Sequence, residues 1–185
     1  QNVQGLLFRE EQVGYLVGYL GALEAKRAGS TSISAVGGFK EPPVDRFIAG
    51  YRAGAEAAVP GTKVTWGYSQ DWDDQAKCKE LALNQIEAGS KVVFQVAGGC
   101  GLGALDAAKQ QSVWGVGVDL DQSFLGPHIL TSAVKRVDTS VETVILGVKN
   151  GTYKGGTDLV FNLRNKGVAV GKISPKVPRA FVTRM

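Results

Sequence analysis

The chain has 185 residues, 44% of them hydrophobic and 21% charged, which suits a globular protein with one substantial core. Its 21 lysines and arginines against 17 acids leave +4, and they stay scattered until the tail KISPKVPRAFVTRM. That argues against a nucleic-acid surface, which clusters cations with aromatics between them. No run approaches the roughly 18 apolar residues of a membrane span, and two cysteines with one histidine do not complete a zinc site.

Val3 to Phe8 reads as a strand or an extended crossing. QNVQGLLFREEQ opens without a Met and directly into that run, so the chain reads as a fragment whose targeting signals lie elsewhere. A helix is expected over Glu10 to Arg27, with Val13, Leu16, Val17, Leu20 and Leu23 at helical spacing. Acids open it, Lys26 and Arg27 close it, and Gly29 stops it. Its stripe of Gly14, Gly18 and Gly21 suggests close packing on a sheet. Ser32 to Val36 is the next strand, ending on Gly37-Gly38-Phe39. Pro42-Pro43 then lead into a helix from about Val44 to Ala58, with Phe47, Ile48, Tyr51 and Ala55 facing inward. Lys63 to Tyr68 forms a third strand, and the acids of the loop SQDWDD can cap a helix over Asp74 to Ala88.

The most informative stretch is Lys91 to Asp121. A strand (Val92 to Val96), a glycine turn (Gly98 to Gly103), a short helix and a strand (Val113 to Val118) lead to Asp119 and Asp121. Apolar runs on both sides of a helix indicate parallel strands buried on both faces. The alternation predicts an α/β fold, a doubly wound parallel sheet of about four strands. In such sheets ligands bind beyond the carboxyl ends of the strands, so Gly38, Trp72, Gly98 and Asp119 are expected on one functional edge. Cys78 and Cys100 reach the same rim in a right-handed βαβ arrangement, which favours a disulfide; the alternative is two buried free thiols. After Asp121 come a Gly126-Pro127 turn, an extended Ile129 to Val134, a helix over Val137 to Lys149 and one or two strands in Thr157 to Val170. That last helix has an apolar face but no parallel strand left to cover.

The runs VGGFKEPPVDRFIAGYRAGAEAAVPG, WGYSQDWDDQAKCKELALNQIEAG, VVFQVAGGCGLGALDAAK, GVDLDQSFLGP and LTSAVKRVD resemble the basic membrane protein family, nucleoside-binding and usually lipid-anchored receptors of ABC transporters. The resemblance spans nearly the whole chain. It implies a type I periplasmic binding protein, two α/β lobes joined by three crossings. Residues 1–131 would be the carboxyl-terminal lobe with its incoming crossing. Residues 132–185 would be the return crossing, a helix of the amino-terminal lobe and the final strands. The rest of that lobe, with the lipid-attachment cysteine, would lie outside the sequence, on the order of 100 residues. Implied partners are a nucleoside or purine-like ligand and ABC permease subunits. The implied location is extracytoplasmic, as a periplasmic or cell-surface lipoprotein whose only membrane contact is the anchor. No catalytic residue, cofactor or metal is expected.

Within that frame Trp72 is the expected stacking platform for a base, and packing is the plain alternative. Gly98 and Gly99, with Gly101 and Gly103, would let backbone approach the ligand. Asp119 would bind ribose hydroxyls, with Asp121 capping the following turn, and Lys135 would sit beside Asp119. Phe39 would line the cleft. Asp45 and Arg46 would pair locally, and Phe124 and Trp114 would pack in the core or hinge. A second reading starts from Gly99-x-Gly101-x-x-Ala104 followed by Asp119, a loose dinucleotide fingerprint, and gives an NAD-type cofactor domain of an enzyme. A third is the ligand-sensing domain of a transcriptional regulator, which also needs a DNA-binding helical domain.

Overall fold

The computed structural model describes residues 2–185. β1 (Gly5–Phe8) and α1 (Glu10–Arg27) open the chain. They are followed by β2 (Ser32–Gly37), α2 (Pro42–Ala58), β3 (Lys63–Tyr68), α3 (Gln75–Glu87), β4 (Val92–Val96), α4 (Gly101–Gln110) and β5 (Trp114–Asp119). β6 (Ile129–Lys135), α5 (Val137–Lys149), β7 (Asp158–Phe161), β8 (Val168–Val170) and α6 (Arg179–Arg184) complete it.

The main sheet has six strands in the order β3-β2-β4-β5-β6-β8. The first five run parallel, and β8 closes the edge antiparallel. β6 is therefore a fifth parallel strand as well as an extended segment, paired to β5 as far as Asp119 and Val134. Its first five residues are all buried, which explains why it joins the sheet, and it runs unbroken through residues 131 and 132. β1 stays outside and pairs with β7 in a separate two-stranded sheet, where Phe8 stacks on Phe161 at 5.2 Å.

Alternate residues of the strands feed two cores. Ile33, Ala35, Phe94, Val96, Val116 and Val118 meet α1 and α2, while Val36 and Val93 meet the small residues of α3 and α4. The glycine stripe of α1 packs on α2, in contrast to the expected sheet contact. A Cβ on Gly14 or Gly18 would collide with the backbone carbonyls of Phe47 or Tyr51, and Gly50 and Gly54 return the contact towards Glu11 and Tyr15. Gly21 alone of the stripe approaches the sheet, near Val92.

Further features concern the periphery. The basic tail is not merely solvated, because Ile173, Val177, Phe181 and Met185 pack against the larger core. Phe124 is 72% exposed and packs in neither core. Trp114 packs against the larger core as expected, and its indole N–H donates to Glu24 Oε2 at 3.0 Å. α5 presents Val137, Val141, Ile145, Leu146 and Val148 to solvent. Among the described residues no helix is long and apolar enough to cross a membrane.

Candidate functional site

Because β2, β3, β4 and β5 are parallel neighbours in one sheet, the residues that follow them gather on one edge. Gly38, Trp72, Gly98 and Asp119 all lie there. A cavity of about 290 Å³ opens on this edge, lined by Glu41, Pro43, Val44 and Phe47 from α2 and the turn before it, and by Trp72, Val96, Gly98, Val118, Asp119 and Lys135. That volume is near the lower end for small-molecule sites, and an apolar wall with a few convergent polar groups is their usual make-up. A larger hollow of about 420 Å³ lies on α2 and the β3 edge, but Ala49, Arg52, Ala53, Glu56, Thr62 and Val64 line it without a convergent set of polar groups.

The Trp72 wall is built locally. Asp71 Oδ1 accepts from the backbone N–H groups of Asp73 (2.9 Å) and Asp74 (3.0 Å), and its other oxygen accepts from Lys77 Nζ at 2.8 Å. The Lys77 bond, followed by the two amides, holds the Asp71 carboxyl well below the usual carboxylate range. Asp74 caps α3 by accepting from Ala76 N–H. Trp72 is half-buried, its ring tilted 5.5 Å from that of Phe39. A Cβ on Gly38 would run into the indole. The Trp72 carbonyl accepts from Cys100 N–H at 2.7 Å, and Cys78 and Cys100 are joined by a disulfide with Cα atoms 5.5 Å apart. Covalent bond, turn and glycine contact thus fix one indole.

The glycines divide. Gly98 takes a φ of +57° at the turn and lines the cavity. Gly101 and Gly103 are helix-packing residues instead, since a Cβ there would strike the Gln95 side chain or the Gln75 carbonyl. The N–H groups of Cys100, Gly101 and Gly103 are all engaged by backbone carbonyls, so they are not presented to a pyrophosphate as a dinucleotide turn requires. Gly99 and Phe39 stand behind Trp72 and do not line the cavity.

Asp119 ends β5 with φ +63°, and Leu120 N–H bonds back to the Val118 carbonyl at 2.7 Å, forming a γ-turn. A non-glycine residue in this conformation is an uncommon strain that concentrates at functional sites. Buried amides support it from below. Gln122 Oε1 accepts from Val118 N–H (3.0 Å) and from Gln95 Nε2 (2.7 Å), while Gln122 N–H donates to Ser132 Oγ (3.0 Å). Asp121 caps the next turn, accepting from Ser123 N–H and Oγ. Loss of hydration in the concave rim raises the Asp119 pKa, Lys135 opposes that shift and Glu10 adds to it.

Lys135 is not tied to Asp119 by a hydrogen bond. Its Nζ donates to Glu10 Oε1 at 2.9 Å and lies 4.8 Å from the centre of the Phe8 ring. Arg46 likewise departs from the expected local pair and donates from Nε to Glu10 Oε2 at 2.7 Å. Asp45 is taken by the Tyr68 hydroxyl, whose pKa is pushed up to about 12, first by burial and then by that bond. Glu10, only 1% exposed, is thus a central charge behind the site. Read locally it is a helix-opening acid. The available signal was its place at a strand–helix junction, where β1 enters α1.

Comparison with known proteins fits this architecture. Residues 1–183 match the Bmp family, described as ABC transporter substrate-binding protein PnrA-like. The ABC transporter nucleoside-binding protein BmpA of Lactococcus lactis is 34% identical, over 92% of this chain and 53% of its own length. A solved ABC transporter solute-binding protein from Aeropyrum pernix superposes with a TM-score of 0.84 at 29% identity, over 99% of this chain and 53% of that one. A transcriptional activator of the comK gene from Bacillus halodurans reaches 0.89 at 24% identity, over 100% and 62%, and speaks to the fold alone. The chain spans about half the length of the curated relatives it matches. Its sheet is that of one lobe of a type I periplasmic binding protein, and the chain belongs to the basic membrane protein (Bmp) family of PnrA-like ABC transporter substrate-binding proteins.

Proposed function

We propose that this chain supplies one half of a cleft that binds a nucleoside or purine-like molecule and delivers it to ABC permease subunits, without chemistry on the ligand. The observation that carries the reading is the convergence of a half-buried indole, Trp72, with Asp119 and Lys135 around one cavity at the carboxyl edge of the sheet. A flat amphipathic ring suits a base, and a carboxylate beside an ammonium suits sugar hydroxyls. The strained γ-turn at Asp119 supports a binding role for that residue. The Lactococcus relative is a nucleoside-binding protein by name, which supports the same ligand class.

We further propose that the main sheet, with β6 and β8, and helices α1 to α4 act as the carboxyl-terminal lobe, and that α5 belongs with a second lobe. The exposed apolar face of α5 supports this division. Closure of two lobes on a ligand that contacts both would stabilise the closed state by differential affinity. An extracytoplasmic location through a lipid anchor fits this reading. Calorimetry on the complete protein with inosine, hypoxanthine, ribose and NAD tests it. Inosine binding without NAD binding is expected; NAD binding without nucleoside binding would overturn it.

A further inference from the structure

Behind the cleft wall, one buried carboxylate holds two cations from two different elements. Glu10, 1% exposed, bonds Lys135 Nζ of β6 at 2.9 Å through Oε1 and Arg46 Nε of α2 at 2.7 Å through Oε2. Around them stand Arg9, which leans to Glu11 at 3.7 Å, Glu41 at the mouth of α2, and Asp119 at the end of β5. A buried ion left without partners is strongly unfavourable, so these three side chains behave as one unit. Two cations on one carboxylate carry a single positive charge, which Asp119 offsets. With Glu41 also lining the cleft, the set carries no positive excess because Glu10 is there.

We propose that Glu10 is a positioning residue that makes the cleft select an uncharged riboside over its 5′-phosphate, by holding Lys135 and Arg46 in a set without positive excess beside Asp119 and Glu41. This rests on the nucleoside reading above. With Nζ committed to Glu10, Lys135 keeps further N–H donors for a neutral ligand oxygen, but its charge is already balanced. Arg46 spends its Nε on the same carboxylate, so its charge too is already partly balanced. Without the Glu10 charge, Lys135 at the cleft and Arg46 behind it would lose the carboxylate that balances them, and a phosphate would gain where a riboside would not.

Two variants of the complete protein push the charge in opposite directions, Glu10→Gln and Arg46→Leu. Calorimetry with inosine and inosine 5′-monophosphate should show the preference for inosine falling about tenfold in Glu10→Gln and rising by a similar factor in Arg46→Leu. Glu10→Asp, which keeps the charge, should restore the wild-type preference. Simple damage to the fold would weaken both ligands together and in both variants alike. A ligand-free measurement accompanies these: carboxyl-carbon NMR titration of Asp119, whose midpoint should move down in Glu10→Gln and up in Arg46→Leu. If Glu10→Gln does not fold, Arg46→Leu, altered at a partly exposed side chain, carries the test alone. An unchanged ligand ratio, or Asp119 midpoints that move in the same direction, overturns the proposal. A wild-type protein that binds no nucleoside sinks the ligand reading and the selectivity with it. The Asp119 midpoints would still report, separately, whether Glu10 governs the charge of the floor.

Discussion

The Trp72 wall of the cleft is held by a disulfide, an Asp71 turn and close contact with Gly38, all within neighbouring loops of one edge. The Asp119 wall is held by charges and buried amides drawn from α1, α2, β4, β6 and the turn after β5. A wall of the first kind responds weakly to moderate acid, since the carboxyl at its turn, Asp71, is held far down by Lys77 and two amides. A wall of the second kind depends on protonation and on its neighbours' charges. The base end of the ligand would therefore meet a preset surface and the sugar end an adjustable one.

That contrast is open to direct attack, beginning where the largest effect is expected. Replacing Cys78 and Cys100 together by alanine removes a link between residues 22 apart in sequence. Chemical denaturation should show a loss of about 3 kcal/mol, and Trp72 fluorescence should change while the Asp119 titration stays put. An equal disturbance of both walls would erase the distinction between them. Next, Asp119→Asn should cost inosine about 1.5–3 kcal/mol, the range of a hydrogen bond to a charged group, and leave hypoxanthine nearly unaffected. An unchanged inosine-to-hypoxanthine ratio would show that Asp119 does not read the sugar. Trp72→Ala should weaken inosine and hypoxanthine together by about 1–3 kcal/mol, since both lose the same stack.

The smallest effect concerns pH. The Asp119 pKa is raised in the folded protein, by partial loss of hydration at the rim first, with Lys135 opposing and Glu10 adding. Its ionised carboxylate accepts stronger hydroxyl bonds than the protonated acid, so inosine affinity is full above that raised midpoint and declines as pH falls through it. The decline should begin above the ordinary value of 3.8. Hypoxanthine affinity should stay flat across the same window, and a parallel decline would place the titrating group in the Trp72 wall.

Much of the frame was legible because its signals are local. The apolar spacing of Glu10 to Arg27, the run Val92 to Val96 and the capping acids of SQDWDD each fix an element from within a few residues. The shared edge then follows from parallel order alone. What escaped was set by contacts far apart in sequence. Glu10 looks like a helix-opening acid until Lys135, 125 residues away, meets it. Gln95 interrupts a β-branched run, and its partner Gln122 follows two acids, so neither announces a buried amide pair beneath Asp119. The α1 glycines signalled a close neighbour but not which one, because the reciprocal glycines sit in α2. The tail and β8 lacked strong periodicity and find their places only against a finished core.

Those reciprocal glycines carry a mechanical consequence. With Gly14 and Gly18 of α1 and Gly50 and Gly54 of α2 seated against each other's backbone, the two helices cannot slide without driving main chain into main chain. Glu10 stands at the start of α1 and Arg46 in the first turns of α2, so the interlock also sets the distance between them. The pair behaves as one stiff beam behind the cleft. Any rearrangement of the Asp119 wall must move the beam as a whole or leave it still, and amide exchange along the two helices should rise and fall in step.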